Sequence, residues 1–293
     1  MKTAFLGLGV MGGPMSVNLA ASGYSVKAWN RTSDRLGVKI ASEAGANIVS
    51  SIQEAVTDVD IIFTCVGDIP DVEAVILGEK GIINFAKPGA IVIDFSTIGS
   101  EAARRISQQL EPAKIQFLDA PVSGGDIGAK NGTLTIMVGG DQNTFETVKP
   151  LLETMGKTIR YCGKVGSGQG VKLCNQVLAS LNMVGICEAL LLAQKQGIDP
   201  NLVVEICSTG AAGSWALSNL GLKVAEGDFE PGFMIKHILK DLRIVQETLN
   251  CDPALPGTEL ADYLFKIVQK LDQGFGENQG TQAMIRAYKE ADS

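Results

Sequence analysis

The chain has 293 residues, with 32 acidic and 25 basic side chains, and its formal net charge is −7. Apolar residues make up 45% of the chain and charged residues 19%, which excludes a disordered or collagen-like protein. This length predicts two domains, or one large one, that fold without a disulfide or a structural metal. The acidic balance argues against general nucleic-acid binding, so we expect no nucleic-acid partner.

The first half of the chain alternates short strand-like runs with helix-like segments. Such alternation predicts a mainly parallel sheet that is covered by helices on both faces. Strands are predicted at residues 3–8, 24–29, 61–66, 90–94, 115–118, 134–138 and 158–161, and the helices between them include 13–22, 34–44 and 100–110.

From about residue 166 onward the pattern becomes helical, and strand signals almost disappear. The predicted helices cover residues 168–196, 199–209, 214–225, 234–250, 257–273 and 277–290. The predicted fold class is therefore α/β, with a doubly wound sheet domain over residues 1–164. An all-α domain over residues 165–293 follows it.

The most apolar stretch, residues 171–193, lies in the first of these helices. Five polar residues interrupt it, so we expect a buried helix and no membrane partner: Lys172, Asn175, Gln176, Asn182 and Glu188. Apolar residues lie all round this helix, so every side of it needs cover. A partner subunit can supply part of that cover.

The six cysteines are scattered, form no C-x-x-C pair and lie far from the single histidine, His237. We therefore expect no metal site. Scattered cysteines are typical of reduced, mostly buried thiols. A glycine turn that begins at Gly7 leaves too little chain before it for a secretory signal, so a cytoplasmic location is predicted.

The strongest local motif is G-x-G-x-x-G, formed by Gly7, Leu8, Gly9, Val10, Met11 and Gly12. It follows an apolar strand and opens a helix, which is the context that a dinucleotide-binding, Rossmann-type turn requires. In such a turn Gly7 allows the sharp bend, Gly9 lets the backbone approach a pyrophosphate, and Gly12 lets the helix pack on the strand. The helix N-terminus supplies N–H groups and positive dipole for the phosphates.

The end of the second predicted strand distinguishes between the two nicotinamide cofactors. An NAD site places a carboxylate there for the ribose 2′-hydroxyl. This chain has Trp29, Asn30, Arg31 and Thr32 instead, and the Arg31 guanidinium suits a 2′-phosphate. NADP(H) is therefore the preferred cofactor, with NAD(H) as the alternative. An ordinary exposed loop arginine is the other interpretation of Arg31.

Four segments follow one another along nearly the whole length of the chain: residues 5–12 (FLGLGVMG), 119–125 (DAPVSGG), 168–175 (GQGVKLCN) and 236–242 (KHILKDL). In this order they resemble the motifs of the β-hydroxyacid dehydrogenase family, which includes 3-hydroxyisobutyrate dehydrogenases and glyoxylate/succinic semialdehyde reductases. The four motifs are far more specific together than any one of them alone.

The resemblance implies a small anionic aldehyde or hydroxyacid as substrate. It assigns Lys172 as the proton donor and Asn175 as a residue that helps to hold the substrate. It assigns Ser123, Gly124 and Gly125 to the substrate carboxylate. A hydroxyl group and closely spaced backbone N–H groups suit such an anion.

The resemblance also assigns cofactor contacts. Thr97 is expected near the nicotinamide and the substrate, and Val66 is expected on the nicotinamide side. Phe233 is expected to close over the cofactor and Lys240 to contact it, with Asp241 holding the site. The family further implies a homodimer or a homotetramer.

Lys172 also has a chemical reason to be the proton donor. Hydride transfer to a carbonyl leaves negative charge on the oxygen, and a group must stabilise that charge and deliver a proton. Lys172 lies at the start of an otherwise apolar helix, where a buried ammonium group is costly unless it has a partner or a function. A surface lysine at a helix end is the competing interpretation. The matched motif favours Lys172 over His237, which we expect to be structural or peripheral.

Three functions remain open at this stage. The first is an NADPH-dependent reductase of a small aldehyde acid, of the glyoxylate or succinic semialdehyde reductase type. The second is an NAD-dependent 3-hydroxyisobutyrate dehydrogenase. The third, from another class, is a non-catalytic dinucleotide-binding module, which the presence of Lys172 disfavours.

Overall fold

The computed structural model describes residues 1–250 and 252–290, without the side chains of Lys289 and Glu290. The chain folds into two compact units, Met1–Lys172 and Leu173–Ser293. This division falls inside the long helix, further along the chain than the predicted boundary after residue 164.

Within the described residues, every strand belongs to the first unit and to one sheet. The strands are β1 (Lys2–Leu6), β2 (Ser25–Trp29), β3 (Asn47–Ile48), β4 (Ile61–Thr64), β5 (Ile91–Asp94), β6 (Gln116–Asp119), β7 (Val122–Ser123), β8 (Leu134–Gly139) and β9 (Gly156–Gly163). Their order is β3-β2-β1-β4-β5-β6-β8-β7, with β9 paired to β8. All pairs are parallel except those of β8 with β6 and β7. The predicted mainly parallel sheet is confirmed.

Helices cover the sheet, and the buried apolar residues of the first unit form two hydrophobic clusters. The helices of the first unit are α1 (Gly12–Ala21), α2 (Leu36–Glu43), α3 (Ile52–Val56), α4 (Ile69–Leu77), α5 (Gly99–Leu110), α6 (Gly125–Asn131) and α7 (Gln142–Leu152). Phe5 belongs to one cluster and its neighbour Leu6 to the other. Successive strand residues point to opposite faces of a sheet, so strands that are apolar throughout require cover on both faces.

The second unit is helical. After the long helix α8 (Ser167–Gln196), which enters it, come α9 (Pro200–Thr209), α10 (Trp215–Glu226), α11 (Ile235–Leu249), α12 (Pro256–Lys270) and α13 (Ile285–Glu290). The predicted fold class, a Rossmann-type sheet domain followed by an all-α part, is therefore confirmed.

The predicted last helix, 277–290, is partly wrong. Residues Asp272–Asn278 and Thr281–Met284 form 3-10 turns, and the α-helix covers only Ile285–Glu290. The backbone groups between the two turns form hydrogen bonds with other segments of the second unit. Gln279 accepts from the N–H of Ile235, and the N–H of Gly280 donates to Phe229. These groups are therefore not available for a continuous helical ladder.

Two further expectations need correction. Strands β3 and β7 are missing from the predicted elements because two residues are too short to show a period. The cysteines are not mostly buried. Of the five that the structure describes, Cys187 is buried, Cys174 is exposed and the other three are intermediate, whereas Cys251 lies outside the described residues.

Helix α8 is unusual in the distribution of its side chains. Four polar residues form a buried stripe on it: Gln169, Lys172, Gln176 and Ser180. Large apolar residues are exposed on other sides, among them Leu178 and Leu192, which are 64% and 60% exposed. Among the described residues, α8 alone has the length and composition to cross a membrane, a test that core helices of soluble proteins also pass.

Candidate active site

Strand β1 leads directly into the glycine turn. Gly7 has φ of +96°, and a Cβ atom on it would lie 2.2 Å from the Cys65 carbonyl oxygen, so this corner requires glycine. Gly9 is exposed and has nothing within 4 Å of the position of a Cβ atom. Helix α1 then begins without a side-chain cap. Open backbone at an uncapped helix start fits the pyrophosphate of a dinucleotide.

Asn30 connects the end of β2 to this turn. Its Oδ1 accepts from the N–H of Leu8 at 2.8 Å, and its Nδ2 donates to the Thr32 carbonyl at 2.7 Å. The side chain of Leu8 is fully buried in the core, whereas Val10 is 57% exposed. Asn30 therefore shapes two of the segments that are predicted to bind the cofactor.

Arg31 does not share these contacts. Its side chain is 80% exposed, and its Nη1 lies 2.9 Å from Oδ1 of Asp71 in the first turn of α4. Sequence reasoning missed this carboxylate because Asp71 lies 40 residues further along the chain. The guanidinium predicted to bind a 2′-phosphate is thus already paired with an acid.

Three neighbouring parallel strands end in buried polar residues. The register pairs Thr64 of β4 with Asp94 of β5, and Asp94 with Asp119 of β6. Oδ1 of Asp94 accepts from Thr64 Oγ1 at 2.7 Å, from Ser96 Oγ at 2.7 Å and from the Ser96 N–H at 3.2 Å. Within the described residues, its Oδ2 has no hydrogen-bond partner. Burial, opposed by these hydrogen bonds, raises the pKa of Asp94 to about 6.

Asp119 holds the first turn of α8. Its Oδ1 accepts from the N–H of Gly166 at 2.7 Å, and its Oδ2 accepts from the N–H of Gln169 at 2.8 Å. Burial raises the pKa of Asp119, although these backbone hydrogen bonds oppose the effect. The start of α8 is thereby tied to the carboxyl end of β6.

The side chain of Gln169 reaches the turn after β5. Its Oε1 accepts from the N–H groups of Ile98 and Gly99, both at 3.0 Å, and its Nε2 donates to the Ser96 carbonyl at 2.8 Å. Thr97, which is half-buried, lies between the bonded residues. The hydroxyl of Ser96 also accepts from the N–H of Val66 at 3.0 Å. Two predicted cofactor contacts, Val66 and Thr97, are thus joined in one network.

Lys172 lies on α8, one helical turn beyond Gln169. It is only 7% exposed, which removes the interpretation of a surface lysine at a helix end. Burying an ammonium group is costly, so a lysine in this position requires compensation. Its assignment as proton donor stays a prediction.

The predicted carboxylate-binding segment lies between β6 and α6. Ser123 ends strand β7 and is paired with Thr135 of β8. Ser123 and Gly124 are half-buried, and Gly125 has nothing within 4 Å of the position of a Cβ atom. An open backbone beside a hydroxyl group is compatible with a small anion.

In the second unit, a chain of side chains joins two predicted contacts. Nδ2 of Asn175 donates to Oε1 of Gln176 at 2.9 Å, and Nε2 of Gln176 donates to Oδ2 of Asp241 at 2.6 Å. Nζ of Lys240 lies 2.8 Å from Oδ1 of Asp241. Gln176 and Asp241 are almost fully buried, so they connect Asn175 to Lys240 inside the unit.

His237 lies on the exposed part of α11, with its ring centroid 5.7 Å from that of Phe233. Partial loss of solvent, and then the positive charges of Lys236 and Lys240, lower the pKa of His237. A histidine with a lowered pKa is a poor proton donor at neutral pH. This supports a peripheral role for His237.

Sequence reasoning missed the roles of Asp94, Gln169 and Gln176. One signal was available for the first of these. In the sequence, the polar residues Thr64, Asp94 and Asp119 lie within two residues of the ends of three predicted strands, and the carboxyl ends of parallel strands lie at one edge of the sheet. No comparable signal existed for the two glutamines. The distant groups that their side chains bind, at Ser96, Ile98, Gly99 and Asp241, are 65 or more residues away.

Comparison with known families covers both units. Residues 2–163 match the family model of the NAD binding domain of 6-phosphogluconate dehydrogenase. Residues 166–288 match the model described as NAD-binding of NADP-dependent 3-hydroxyisobutyrate dehydrogenase. The chain belongs to the β-hydroxyacid dehydrogenase family. It is an NAD(P)-dependent oxidoreductase that acts on hydroxyacids, and this activity class removes the non-catalytic alternative.

Matches to individual proteins agree with this family assignment. The chain is 53% identical over 290 residues to an uncharacterised oxidoreductase of Synechocystis sp., covering 99% of both chains. It is 40% identical over 266 residues to 2-hydroxy-3-oxopropionate reductase of Escherichia coli, covering 90% of each. It also matches the structure of Mycobacterium tuberculosis 3-hydroxyisobutyrate dehydrogenase with L-serine at a TM-score of 0.87 and 30% identity. That match covers 98% of this chain and 99% of the other.

Proposed function

We propose that this β-hydroxyacid dehydrogenase is an NADPH-dependent reductase of a small aldehyde acid. The observation that carries the cofactor preference is Arg31, two residues after the end of β2, with no carboxylate among residues 29–32. The candidate substrates are glyoxylate and the semialdehydes of succinate, tartronate and methylmalonate. Tartronate semialdehyde, which is 2-hydroxy-3-oxopropionate, is the substrate named for the relative of Escherichia coli.

In this proposal the residues of the chain bind the substrate and donate one proton to it. When bound, NADPH would supply the hydride that reduces the carbonyl carbon. The Lys172 ammonium donates a proton to the carbonyl oxygen, and its charge stabilises the oxygen as negative charge develops. Ser123, Gly124 and Gly125 hold the substrate carboxylate. The contacts assigned to Asn175, Phe233 and Lys240 in the second unit remain predictions, as does a cytoplasmic location.

One observation favours the alternative, an NAD-dependent 3-hydroxyisobutyrate dehydrogenase. The Asp71 carboxylate, 2.9 Å from the Arg31 guanidinium, reduces the positive potential that a 2′-phosphate requires. A steady-state comparison of NADPH with NADH for the four aldehyde acids, and of NADP+ with NAD+ for 3-hydroxyisobutyrate, tests both functions. Higher kcat/KM with NADPH supports the proposal, and higher kcat/KM with NADH overturns the cofactor assignment.

The proton donor can be tested by Lys172→Ala. We expect kcat to fall about 10²- to 10⁴-fold, the usual contribution of a general acid, while NADPH binding is retained. The matched control is Lys164→Ala, because Lys164 is exposed just before α8 and should be neutral. Steady-state kinetics and a fluorescence titration with NADPH provide the two measurements. Unchanged turnover in Lys172→Ala would remove Lys172 from the mechanism.

We further propose that the protein forms a homodimer or homotetramer through α8. Within the second unit, the exposed residues Cys174, Leu178, Leu181, Gly185 and Leu192 follow a spacing of three, four or seven residues along this helix. Such spacing places them on one face. An exposed apolar stripe on a helix is typical of a protein–protein interface.

A further inference from the structure

The amide of Gln169 is completely buried and makes hydrogen bonds through both of its polar atoms. Its Oε1 accepts from two backbone N–H groups, and its Nε2 donates to a carbonyl. The backbone N–H of Gln169 is bonded as well, to Oδ2 of Asp119. Both the backbone and the side chain of this residue are therefore fixed in place.

The groups that Gln169 binds are the residues on either side of Thr97. Ile98 precedes the first residue of α5, and no side-chain cap comes from Ile98 itself. Gln169 supplies the missing acceptor from a distant part of the chain, because helix starts leave backbone N–H groups unpaired. Its bond to Ser96 fixes the other side of Thr97.

Gln169 also precedes Lys172 by three residues on α8, so the two residues lie on the same side of the helix, about 4.5 Å apart along its axis. A shift in the first turn of α8 would therefore move the Lys172 ammonium group. A displacement of about 1 Å at a reacting group can reduce turnover by about 10²-fold. The position of this turn thus matters for any reaction that uses Lys172.

We propose that Gln169 is a positioning residue, which holds the Thr97 turn and the helical turn of Lys172 in one fixed arrangement. This inference rests on the proposed function, in which Lys172 donates the proton. A residue with this role controls the chemical step more than the affinity for cofactor. A residue that only stabilised the fold would lower the folded fraction and leave the turnover of each folded molecule unchanged.

The first test is Gln169→Met, which keeps the length of the side chain and removes its hydrogen bonds. We expect kcat per NADPH-binding site to fall by about tenfold to 100-fold. The NADPH dissociation constant from fluorescence titration should change little. The isotope effect with 4-deuterated NADPH should rise, because hydride transfer becomes rate-limiting. Unchanged kcat and isotope effect in folded Gln169→Met would overturn the inference.

The control is Thr3→Val in the same unit. Thr3 is 1% exposed, and its hydroxyl donates to the Ser25 carbonyl at 2.9 Å. It lies at the start of β1. Thr97 instead follows the carboxyl end of β5, and Asp119 at the carboxyl end of β6 holds the helical turn of Lys172. This variant also loses a buried hydrogen bond, but its kcat per binding site should match that of the wild type.

A second variant, Gln169→Glu, keeps the acceptor for Ile98 and Gly99, which limits the loss of stability. Burial raises the pKa of the new carboxyl group, and its protonated form can donate to Ser96 as the amide does. The ratio compares the kcat of Gln169→Glu with that of the wild type. We expect this ratio to increase as the pH is lowered from about 8 to about 6, because the protonated form becomes populated. Asp94 and Asp119, the other acidic groups near this turn, are present in both proteins, so their own titration largely cancels in the ratio. A ratio that stays flat contradicts the inference.

Lys172→Ala, measured in parallel, separates the two proposals. If Lys172→Ala keeps its turnover, the proposed function fails. If Lys172→Ala loses its turnover while Gln169→Met keeps it, only the positioning role fails.

Discussion

The Arg31–Asp71 ion pair sets the charge next to the end of β2. Because both side chains are at least 35% exposed, the pair contributes little to stability, and its effect is expected mainly on the ligand. A 2′-phosphate has to compete with Asp71 for the guanidinium group. The balance between the two cofactors therefore depends on Asp71 as well as on Arg31.

We predict that Asp71→Asn strengthens NADPH binding by about twofold to fivefold, which corresponds to the energy of an exposed ion pair. NADH binding should not change. The substitution keeps an oxygen that can accept from the N–H of Asp68. The control is Glu73→Gln on the same helix, which removes a pair with Arg105. Dissociation constants for both cofactors measure the effect, and equal changes for NADPH and NADH would contradict it.

Asp94 makes the stability of the first unit depend on pH. Its pKa is raised from 3.8 to about 6 in the folded protein, so the folded state holds the proton more tightly than the unfolded state. The corresponding stability is present below about pH 4 and is lost as the pH rises to about 6. Since each pKa unit corresponds to 1.36 kcal/mol, the loss is about 3 kcal/mol.

Asp94→Asn should remove this loss, because an amide does not ionise. We predict that its free energy of unfolding, relative to the wild type, rises by about 3 kcal/mol between about pH 4 and about pH 7. Urea unfolding at several pH values measures the difference. Asp141→Asn is the control. Hydrogen bonds from Thr144 lower the pKa of that exposed carboxyl group, so the free energy of unfolding of this variant, relative to the wild type, should change with pH in the opposite direction. A pH-independent difference for Asp94→Asn would be inconsistent with a buried, ionising Asp94.

At the scale of secondary-structure elements, the first turn of α8 is packed against the ends of β6 and β8. A Cβ atom on Gly168 would lie 2.2 Å from the Met137 carbonyl oxygen and 2.9 Å from two oxygens of Asp119. The carbonyl oxygens of Met137 and Asp119 belong to strands of the sheet and cannot move aside easily. The close approach that lets Asp119 bond the N–H groups of this turn therefore requires glycine at this position.

Gly168→Ala is thus expected to reduce the free energy of unfolding by about 1–3 kcal/mol, the usual cost of overpacking. Gly170→Ala, two residues further along the same helix, is the matched control. Its Cβ atom would meet only Ser100 Oγ, at 3.5 Å. Alanine is the better helix former, so this change should be neutral or stabilising by up to about 1 kcal/mol. Thermal unfolding compares the two, and equal stability of both variants would contradict the packing argument.

At the scale of the whole molecule, the exposed apolar side chains of α8 require cover. Leu178 is 64% exposed and Leu192 is 60% exposed in the single chain. Residues of this kind, in a row along one helix, are expected to be buried by a second copy. The sequence predicted that this helix needs cover on every side, and the single chain leaves one side open.

We predict that Leu178→Glu shifts the protein toward the monomer, because a charge inside an apolar interface is not compensated. Size-exclusion chromatography with light scattering gives the mass. Leu36→Glu provides the control, since Leu36 is 74% exposed on α2 and belongs to the other unit. If both variants keep the mass of the wild type, α8 does not form the interface.

The sequence alone determined the features that depend on local patterns of residues. Strand–helix alternation gave the sheet domain, 3.6-residue periodicity gave the helical part, and the G-x-G-x-x-G turn gave the nucleotide fold. Helix 168–196 was predicted almost to its ends, with Lys172 near its start. These features depend on neighbours within a few residues, which is why a period or a short motif records them.

The tertiary structure alone decided which polar groups meet. Gln169 bonds Ile98 across 71 residues, Gln176 bonds Asp241 across 65, and Arg31 meets Asp71 across 40. Burial of Lys172 and exposure of Leu178 on the same helix were also set by packing. Side chains of one type serve as surface residues or as buried partners according to what packs on them, and no local period contains that information.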